Sequence, residues 1–360
     1  MSKLLVMADG RSVHTERWCR YFEDAGHEVA LFSLEPCTIQ SPRRVFLGKR
    51  PTSIGLLDYA LAARYVRRVV REFRPDIISA HYVVSYGWLA SYCTTCPVVV
   101  TAWGSDLLCL PQRSWIHRVR IARALAQAAA CTVDSRNLAA VAARYLPPAK
   151  IHRAVMGVPQ QLFDSGVKTD FGQRRPLRII APRGLQSVYD PDTIIAGVAL
   201  AKDRFDLQLE LMGGGEHFAA ISSAIERASL SGRVKIKPFL PHGQYVNSLK
   251  EYDVYLSASL SDSTSVSLLE AMAVGLFPVV SDIEGNREWI RDGENGILFR
   301  PASAASLAEA LASAEERRRT FPAVATMNRR LVAADGIWET NMERVERLFL
   351  RLGEEWPGPR

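Results

Sequence analysis

The stretch VYLSASLSDSTSVSLLEAMAVGLFPVVS, residues 254–281, indicates the fold class because it holds one complete strand-helix-strand unit. Its runs Val254 to Ser257 and Phe277 to Ser281 have the length and apolar character of buried strands. Between them, Ser265 to Val274 is an apolar, helix-like run. Two strands joined through a helix predict a parallel pair with a right-handed crossover, as in α/β proteins.

The same alternation extends in both directions from this unit. Upstream, strand-like and helix-like runs alternate from Lys3 to Ala8 and His14 to Ala25 onward. A stretch rich in Pro, Gly, Asp and Gln interrupts them at 159–176, and alternation resumes at Leu177 to Ala181. The two series predict two Rossmann-like, doubly wound α/β domains with an interdomain cleft where ligands bind. The predicted parts are domains 1–165 and 172–336, and a C-terminal crossover helix in 337–360 near the domain junction.

The composition is typical of a soluble globular protein, with 48% hydrophobic and 23% charged residues. No apolar run is long enough to span a membrane, and Leu4 to Ala8 is too short for a signal peptide. We therefore expect a cytoplasmic chain. The six cysteines all precede position 132, and the Cys93 and Cys96 pair has no second pair at metal spacing, so packing thiols are predicted.

Glu270 lies in the middle of the apolar helix-like run, where a buried carboxylate needs a partner. Either the protein or a ligand supplies it. One alternative is a capping box of Ser267 with Glu270, which would start the helix at 268 and leave it short. The three hydroxyl residues at the preceding helix start predict an anion cradle. They are Ser263, Thr264 and Ser265.

Two glycine-containing loops follow predicted strands and are candidates for phosphate contact. Gly213 follows the strand Leu207 to Met212, and Gly10 with Arg11 follows the first strand. Glycine lets backbone approach a phosphate at a helix N-terminus. Neither loop matches G-x-G-x-x-G, which argues against a nicotinamide cofactor. Plain strand-to-helix turns remain the alternative for both.

Residues 254–299 closely resemble the donor-binding signature of family 4 retaining glycosyltransferases of the GT-B fold. The matching features are Glu270 within LEAMAVG, the PVV run at 278–280 and the DGENG run at 292–296. Asp262 stands where that family has a first Glu. The segments SAHYVVSYGWLA, VVVTAWGSDLL and IIAPRGL resemble other family segments in order, with Trp103, Val188 and Arg183 where the family has His, Lys and Arg.

The resemblance implies roles for the donor-side residues. Glu270 would accept hydrogen bonds from the nucleotide ribose, and Asp262 would lie near the donor sugar. Ser263 to Ser265 and Gly213 would approach the diphosphate, with Arg183 adding a charged contact. Gly10 and Arg11 would approach the same diphosphate from the N-terminal domain.

The implied reaction moves a glycosyl group from a nucleotide sugar to an acceptor hydroxyl, with retention at the anomeric carbon. It would need no metal and no cofactor beyond the nucleotide-diphosphate sugar. His81 and Asp106 would position the acceptor, with Trp103 beside them. For this pair the alternative is structural: a capping Asp106 and a His81 satisfied inside the domain.

The positive excess of the net charge, +7 overall, lies in residues 1–165. Basic residues there recur beside aromatic and aliphatic ones, which suggests contact with an anionic membrane surface and not with nucleic acid. The alternative is a solvated helix face with ordinary packing. We expect a glycan or lipid-linked acceptor in cell-surface polysaccharide or lipopolysaccharide synthesis. Alternatives are a nucleotide-sugar epimerase or hydrolase, or a non-catalytic partner subunit. The surface residues are Arg64, Arg67, Arg68, Arg71, Arg113, Trp115 and Arg118.

Overall fold

The computed structural model describes residues 1–48, 56–93, 95–168, 170–172, 175–214 and 217–356, without the side chains of 56–60. The chain forms two compact units, each built on a parallel sheet. Unit 1 is Met1–Ala154 with Met342–Arg360, and unit 2 is Val155–Asn341.

The strands and helices alternate along the chain as predicted. The strands are β1 Lys3–Met7, β2 Glu28–Ser33, β3 Arg44–Leu47, β4 Ile77–His81, β5 Val98–Thr101, β6 Ala130–Val133, β7 Ile151–Arg153, β8 Leu177–Ala181, β9 Leu207–Met212, β10 Val234–Lys237, β11 Val254–Ser257, β12 Phe277–Ser281 and β13 Ile297–Phe299. The helices are α1 Val13–Asp24, α2 Leu56–Phe73, α3 Trp88–Ala90, α4 Ser105–Leu108, α5 Leu110–Arg113, α6 Trp115–Gln127, α7 Arg136–Ala142, α8 Gln160–Asp164, α9 Pro191–Ala201, α10 Phe218–Arg227, α11 His242–Leu249, α12 Val266–Val274, α13 Glu284–Arg287, α14 Ala304–Glu316, α15 Phe321–Asp335 and α16 Trp338–Glu355.

The sheet of unit 1 has the order β3-β2-β1-β4-β5-β6-β7, with all described pairs parallel. The central strands are almost entirely buried, as expected of a parallel sheet with both faces covered. The strand order reverses between β1 and β4, so the loops that leave these two strands lie side by side. Those loops are residues 8–12 and the π-helical turn Tyr82–Gly87.

The sheet of unit 2 has the order β10-β9-β8-β11-β12-β13, again parallel. Its order reverses between β8 and β11. Arg183 follows β8 and residues 258–265 follow β11, so the topology alone brings the predicted phosphate-binding Arg to the predicted anion cradle. The predicted fold class of two Rossmann-like α/β domains is confirmed.

Helix α12 begins one residue after Ser265, whose hydroxyl accepts from the Leu268 amide at 3.3 Å as the N-cap. The capping-box alternative, with the helix starting at 268, is therefore wrong. Gly275 ends the helix in the left-handed region at φ 93°, where a Cβ would also lie 2.5 Å from Val167.

The division of the chain differs from the predicted boundaries of 165 and 337. Val158 pairs with the segment before α16: its amide donates to the Gly336 carbonyl at 2.8 Å, and its own carbonyl accepts from Trp338 at 2.9 Å. These bonds place residues 155–165 in unit 2. From Met342 onward α16 belongs to unit 1, where Phe349 stacks on Phe22 with ring centroids 5.3 Å apart.

Candidate active site

Arg183 is held by groups from the loop after β11 and from its own loop. Its Nη2 donates to Asp262 Oδ2 at 2.6 Å, and its Nη1 donates to Ser265 Oγ at 3.2 Å. The guanidinium also lies over the Tyr189 ring, 4.5 Å from its centroid. The planar fork is thus fixed before any ligand arrives, with its charge directed toward the start of α12.

Asp262 is both a partner of Arg183 and a brace of its own loop. Its Oδ1 accepts from the Ser263 amide at 2.9 Å while Oδ2 takes the guanidinium. The loop rests against Gly285, where a Cβ would collide with the backbone carbonyl oxygens of Asp262 and Ser263. Glycine at 285 is therefore required for this loop to lie where it does.

Replacing Gly285 with Ala is expected to push the 262–263 backbone away and weaken the Arg183 contact. We expect a loss of stability of about 1–3 kcal/mol, as for other overpacked sites. Urea unfolding measures it, and Gly243→Ala is the matched control because no atom lies within 4 Å of a Cβ there. Equal stability of the two variants would show that the loop yields without cost.

The anion cradle Ser263 to Ser265 is buried. Besides capping the helix, Ser265 Oγ lies 3.1 Å from Ser267 Oγ and 3.3 Å from the Tyr255 hydroxyl. This hydroxyl network fixes the first turn of α12, whose backbone N–H groups and dipole favour an anion. The prediction that the cradle holds a diphosphate stays a prediction, with this geometry in its favour.

Glu270 is buried, and a protein side chain already contacts it. His242 Nε2 lies 2.6 Å from Glu270 Oε1; because an ionised carboxylate only accepts, Nε2 is the donor. The His242 side chain is 61% exposed, against 4% for Glu270. The histidine therefore approaches from the solvent side and contacts one oxygen of the carboxylate that the resemblance assigned to a ribose.

No motif in the sequence predicts the contact of His242, a single histidine at the first position of α11. Tyr245, one turn later, is also buried near Glu270. Its hydroxyl has no hydrogen-bond partner in the described part of the chain. Burial, followed by the charge of Glu270, raises the pKa of Tyr245 well above its usual value, so the phenol stays protonated as a donor.

Gly213 and Gly10 have structural uses that compete with their predicted phosphate contacts. The Gly213 amide donates to the Lys237 carbonyl at 2.9 Å, and the Gly10 amide donates to Ser33 Oγ at 2.9 Å. Both N–H groups are occupied within the protein. A Cβ at Gly213 would lie 3.0 Å from Leu185, so close packing explains this glycine.

A cavity of about 430 Å³ opens at the switch point of unit 1. Arg11 lies in its wall, with Nε donating to Asp9 Oδ1 at 3.0 Å and Nη2 to Asp9 Oδ2 at 2.8 Å. Glu35 lies 3.5 Å from the same Nη2. The predicted diphosphate contact of Arg11 would have to compete with these carboxylates. The lining residues are Ala8, Asp9, Arg11, Ser12, Thr15, Leu34, Glu35, His81, Tyr82, Ser85, Tyr86 and Trp103.

His81 lies in the cavity wall with both ring nitrogens engaged. Trp103 Nε1 donates to Nδ1 at 3.2 Å, so Nε2 carries the proton and faces Ser79 Oγ at 3.1 Å. Burial lowers the pKa of His81 to about 3. A neutral imidazole with no free nitrogen cannot accept a proton from an acceptor without breaking one of these bonds, which favours the structural alternative.

Asp106 is fully buried and is not one of the residues that line the cavity within the described chain. Its carboxylate accepts from the amides of Val83, Trp103 and Leu107 at 2.8, 3.1 and 3.1 Å. These bonds hold the π-helical turn and the start of α4 together. The predicted contact with an acceptor hydroxyl lacks an exposed oxygen, so the capping alternative accounts for Asp106.

The pH dependence of stability is expected to change in opposite directions when these two groups are removed. The folded-state pKa of His81, about 3, is below its ordinary 6.5, so stability falls as pH drops through that window. Burial raises the Asp106 pKa to about 6, so between 6 and 3.8 its protonation adds stability. Urea unfolding from pH 6.5 to 4.5 should show His81→Gln less acid-sensitive than wild type and Asp106→Asn more so, each by about 1.4 kcal/mol per pH unit. Parallel profiles would contradict this.

Two family models match the chain. The model of glycosyl transferases group 1 matches residues 174–330, and the glycosyl transferase 4-like model matches residues 3–135. The chain belongs to the group 1 glycosyltransferases. The first match contains Arg183, the cradle and Glu270, and the second contains the cavity of unit 1.

Among relatives in this glycosyltransferase family, the GtfA subunit of a UDP-N-acetylglucosamine–peptide N-acetylglucosaminyltransferase of Streptococcus pneumoniae is 26% identical over 151 residues. The match covers 41% of this chain and 29% of GtfA. The amylovoran biosynthesis glycosyltransferase AmsK of Erwinia amylovora is 29% identical over 172 residues, 46% of this chain and 42% of AmsK. The chain thus matches less than half the length of these curated relatives.

The fold is similar to that of solved GT-B structures. Anabaena HepE, crystallised with UDP and glucose, superposes with a TM-score of 0.77 at 16% identity, covering 98% of this chain and 100% of HepE. At that identity the likeness establishes the GT-B fold alone.

Proposed function

We propose that this protein transfers a sugar from a nucleotide-sugar donor to an acceptor hydroxyl, with retention at the anomeric carbon, in cell-surface polysaccharide or lipid-linked glycan synthesis. The observation that carries the proposal is the fixed Arg183 beside the start of α12, with Asp262 and buried Glu270 around it. The named activities of GtfA and AmsK, and the UDP complex of HepE, support the same reaction class.

The leaving group of this reaction is a nucleoside diphosphate, whose developing negative charge must be stabilised. Arg183 and the first turn of α12 supply a guanidinium and aligned backbone dipoles at one place. A phosphate would share or replace the Asp262 contact with Arg183, and charge-assisted bonds to a guanidinium are strong. Because Arg183 and the first turn of α12 can stabilise the charge of the leaving diphosphate, we propose that no metal is required.

The ribose is proposed to bind Glu270. His242 takes Oε1, while a carboxylate has two oxygens and about four lone-pair sites. Hydroxyls of a ribose could therefore donate to the remaining sites, or displace His242. The Tyr245 hydroxyl, buried beside Glu270 and a donor at neutral pH, is a further group for the same ligand.

Retention is proposed to depend on the leaving phosphate and not on a protein nucleophile. A bond forms between the acceptor oxygen and the anomeric carbon as the bond to the phosphate oxygen breaks. The acceptor proton passes to a phosphate oxygen on the same face. The engaged nitrogens of His81 and the buried Asp106 support this route, because neither offers a free base to the cavity.

We propose that the protein binds to the anionic surface on the inner face of the cell membrane. The seven residues assigned to it from sequence are all exposed, and Trp115 is joined by exposed Ile116 and Val119 on α6. Arg64, Arg67 and Arg71 also line a surface cavity of about 550 Å³. Within the described ranges, none of the helices is both long and apolar enough to span a bilayer. We propose a peripheral contact, through the exposed basic and apolar side chains named above.

Replacing Arg64, Arg68 and Arg71 together with Gln is expected to reduce binding to vesicles containing anionic lipid by roughly tenfold to a hundredfold, because each basic residue near such a surface adds attraction. Vesicle sedimentation measures the partition. The control is a triple exchange of Arg227, Lys235 and Arg330, exposed residues of unit 2. If both triple variants lose vesicle binding equally, the binding depends on net charge alone, which would contradict a membrane-contacting surface in unit 1.

The reaction is tested with a panel of nucleotide sugars, in EDTA, with and without a lipid extract as acceptor source. We expect release of a nucleoside diphosphate from one donor, stimulated by the extract. Release without any sugar acceptor would favour the hydrolase, and an altered sugar still bound to nucleotide would favour the epimerase. Absence of release, together with absence of a nucleotide-induced rise in melting temperature, would favour the non-catalytic subunit.

A further inference from the structure

The cavity of unit 1 combines aromatic walls with acidic groups. Tyr82, Tyr86 and Trp103 supply rings, while Asp9 and Glu35 supply carboxylates. Carbohydrates have apolar C–H faces that pack on aromatic rings, and hydroxyls that donate to carboxylates. The cavity volume of about 430 Å³ is in the range of small-molecule sites.

The rings are held in place by contacts within the unit. The Tyr86 hydroxyl accepts from the Leu34 amide at 3.1 Å, and the Trp103 indole donates to His81. Tyr82 opens the π-helical turn at φ 69°, a left-handed conformation rarely adopted by an aromatic residue, and its hydroxyl lies 3.3 Å from Ser105 Oγ. Strained backbone of this kind concentrates at functional sites.

The charge of the lining is negative. Arg11 is the one cation among the lining residues of the described chain, and it faces both Asp9 and Glu35. Because burial keeps His81 neutral, two carboxylates stand against one guanidinium. An anionic group entering here would meet carboxylates and a guanidinium that is already paired, so it would be repelled.

A buried hydroxyl in the wall points independently to a ligand. Thr15 is fully buried, and its Oγ1 has no hydrogen-bond partner within the described ranges. Buried polar groups in proteins are nearly always hydrogen-bonded. Since Thr15 lines the cavity, a bound molecule with a hydroxyl can supply the missing partner.

We propose that this cavity binds the acceptor through an uncharged pyranose and discriminates against sugars that carry a carboxylate or phosphate at this position. Asp9 and Glu35 accept hydrogen bonds from sugar hydroxyls, Thr15 bonds a further hydroxyl, and the aromatic rings pack against the ring face. The assignment of the bound sugar as the acceptor rests on the proposed transfer reaction. The binding preference itself is a property of unit 1 alone.

The test is saturation-transfer NMR of the full chain at pH 7, without donor, using methyl glycosides of glucose, galactose and mannose, each paired with its uronate. We expect at least one neutral glycoside to bind about tenfold or more tightly than its uronate. Glu35→Gln should narrow that ratio, whereas Glu16→Gln, an exchange on α1 outside the lining, should not. Thr15→Val should weaken the neutral glycoside.

The proposal is overturned if none of the neutral glycosides binds more tightly than its uronate, if the ratio is unchanged in Glu35→Gln, or if no neutral glycoside binds. These outcomes are distinguishable from failure of the proposed function, because no turnover is measured. If the protein releases no diphosphate but binds neutral glycosides in preference to uronates, this inference still holds. If it transfers sugar but shows no such preference, this inference is wrong.

Discussion

Replacing Arg183 with Gln is expected to slow release of the nucleoside diphosphate by about 10²- to 10³-fold, the effect of removing a preorganised group that stabilises developing charge. The guanidinium is fixed by Asp262, Ser265 and the Tyr189 ring before a ligand binds. Turnover at saturating donor measures the effect. Lys at the same position should recover part of the rate, because it restores charge without the fork.

The control for Arg183 is Arg178→Gln. Arg178 lies on β8, the strand that Arg183 follows, and pairs at 3.5 Å with the exposed Glu251. It should retain near-normal turnover. Similar rates in the two variants, or an Arg183→Gln enzyme as fast as wild type, would remove Arg183 from the catalytic role. Melting temperatures measured alongside separate a lost charge from a lost fold, since Arg183→Gln leaves Asp262 without its cation.

Replacing Glu270 with Gln is expected to weaken nucleoside diphosphate binding by about 1–3 kcal/mol, because charged hydrogen bonds to the ribose are exchanged for neutral ones. Calorimetric titration measures the affinity. The variant also loses the charged partner of His242, so a second exchange is needed to separate the two contacts.

His242→Asn supplies that separation. It leaves Glu270 in place for the ribose and removes a group that covers Oε1 in the free protein. We expect it to bind nucleotide at least as tightly as wild type. If His242→Asn weakens binding as much as Glu270→Gln does, the pair acts as one structural unit and Glu270 is not the ribose acceptor.

Short-range sequence patterns predicted the strands that are themselves formed by apolar runs. The strands β11 and β12 were predicted at their observed limits, because both are uninterrupted apolar runs bounded by polar loops. The strand β3 was missed: it is four residues long at the sheet edge, with a half-exposed sequence that carries no clear period. The strand β7, with three residues, was missed for the same reason.

The candidate site divides in the same way. The buried state of Glu270 and the nearness of Arg183 to the cradle follow from apolar patterning and from the switch-point rule. The contact of His242 with Glu270 does not, because it joins separate helices through tertiary packing. Nor could sequence decide that Asp106 faces backbone amides and not the cavity, since both environments suit an Asp after a strand.

Retention is tested most directly by NMR of the product that the wild-type protein makes from its preferred α-configured nucleotide sugar. We expect an α-linked glycosidic product, recognised by the larger one-bond carbon–proton coupling of its anomeric centre. A β-linked product would contradict retention, and free sugar or an epimerised nucleotide sugar in its place would contradict glycosyl transfer itself.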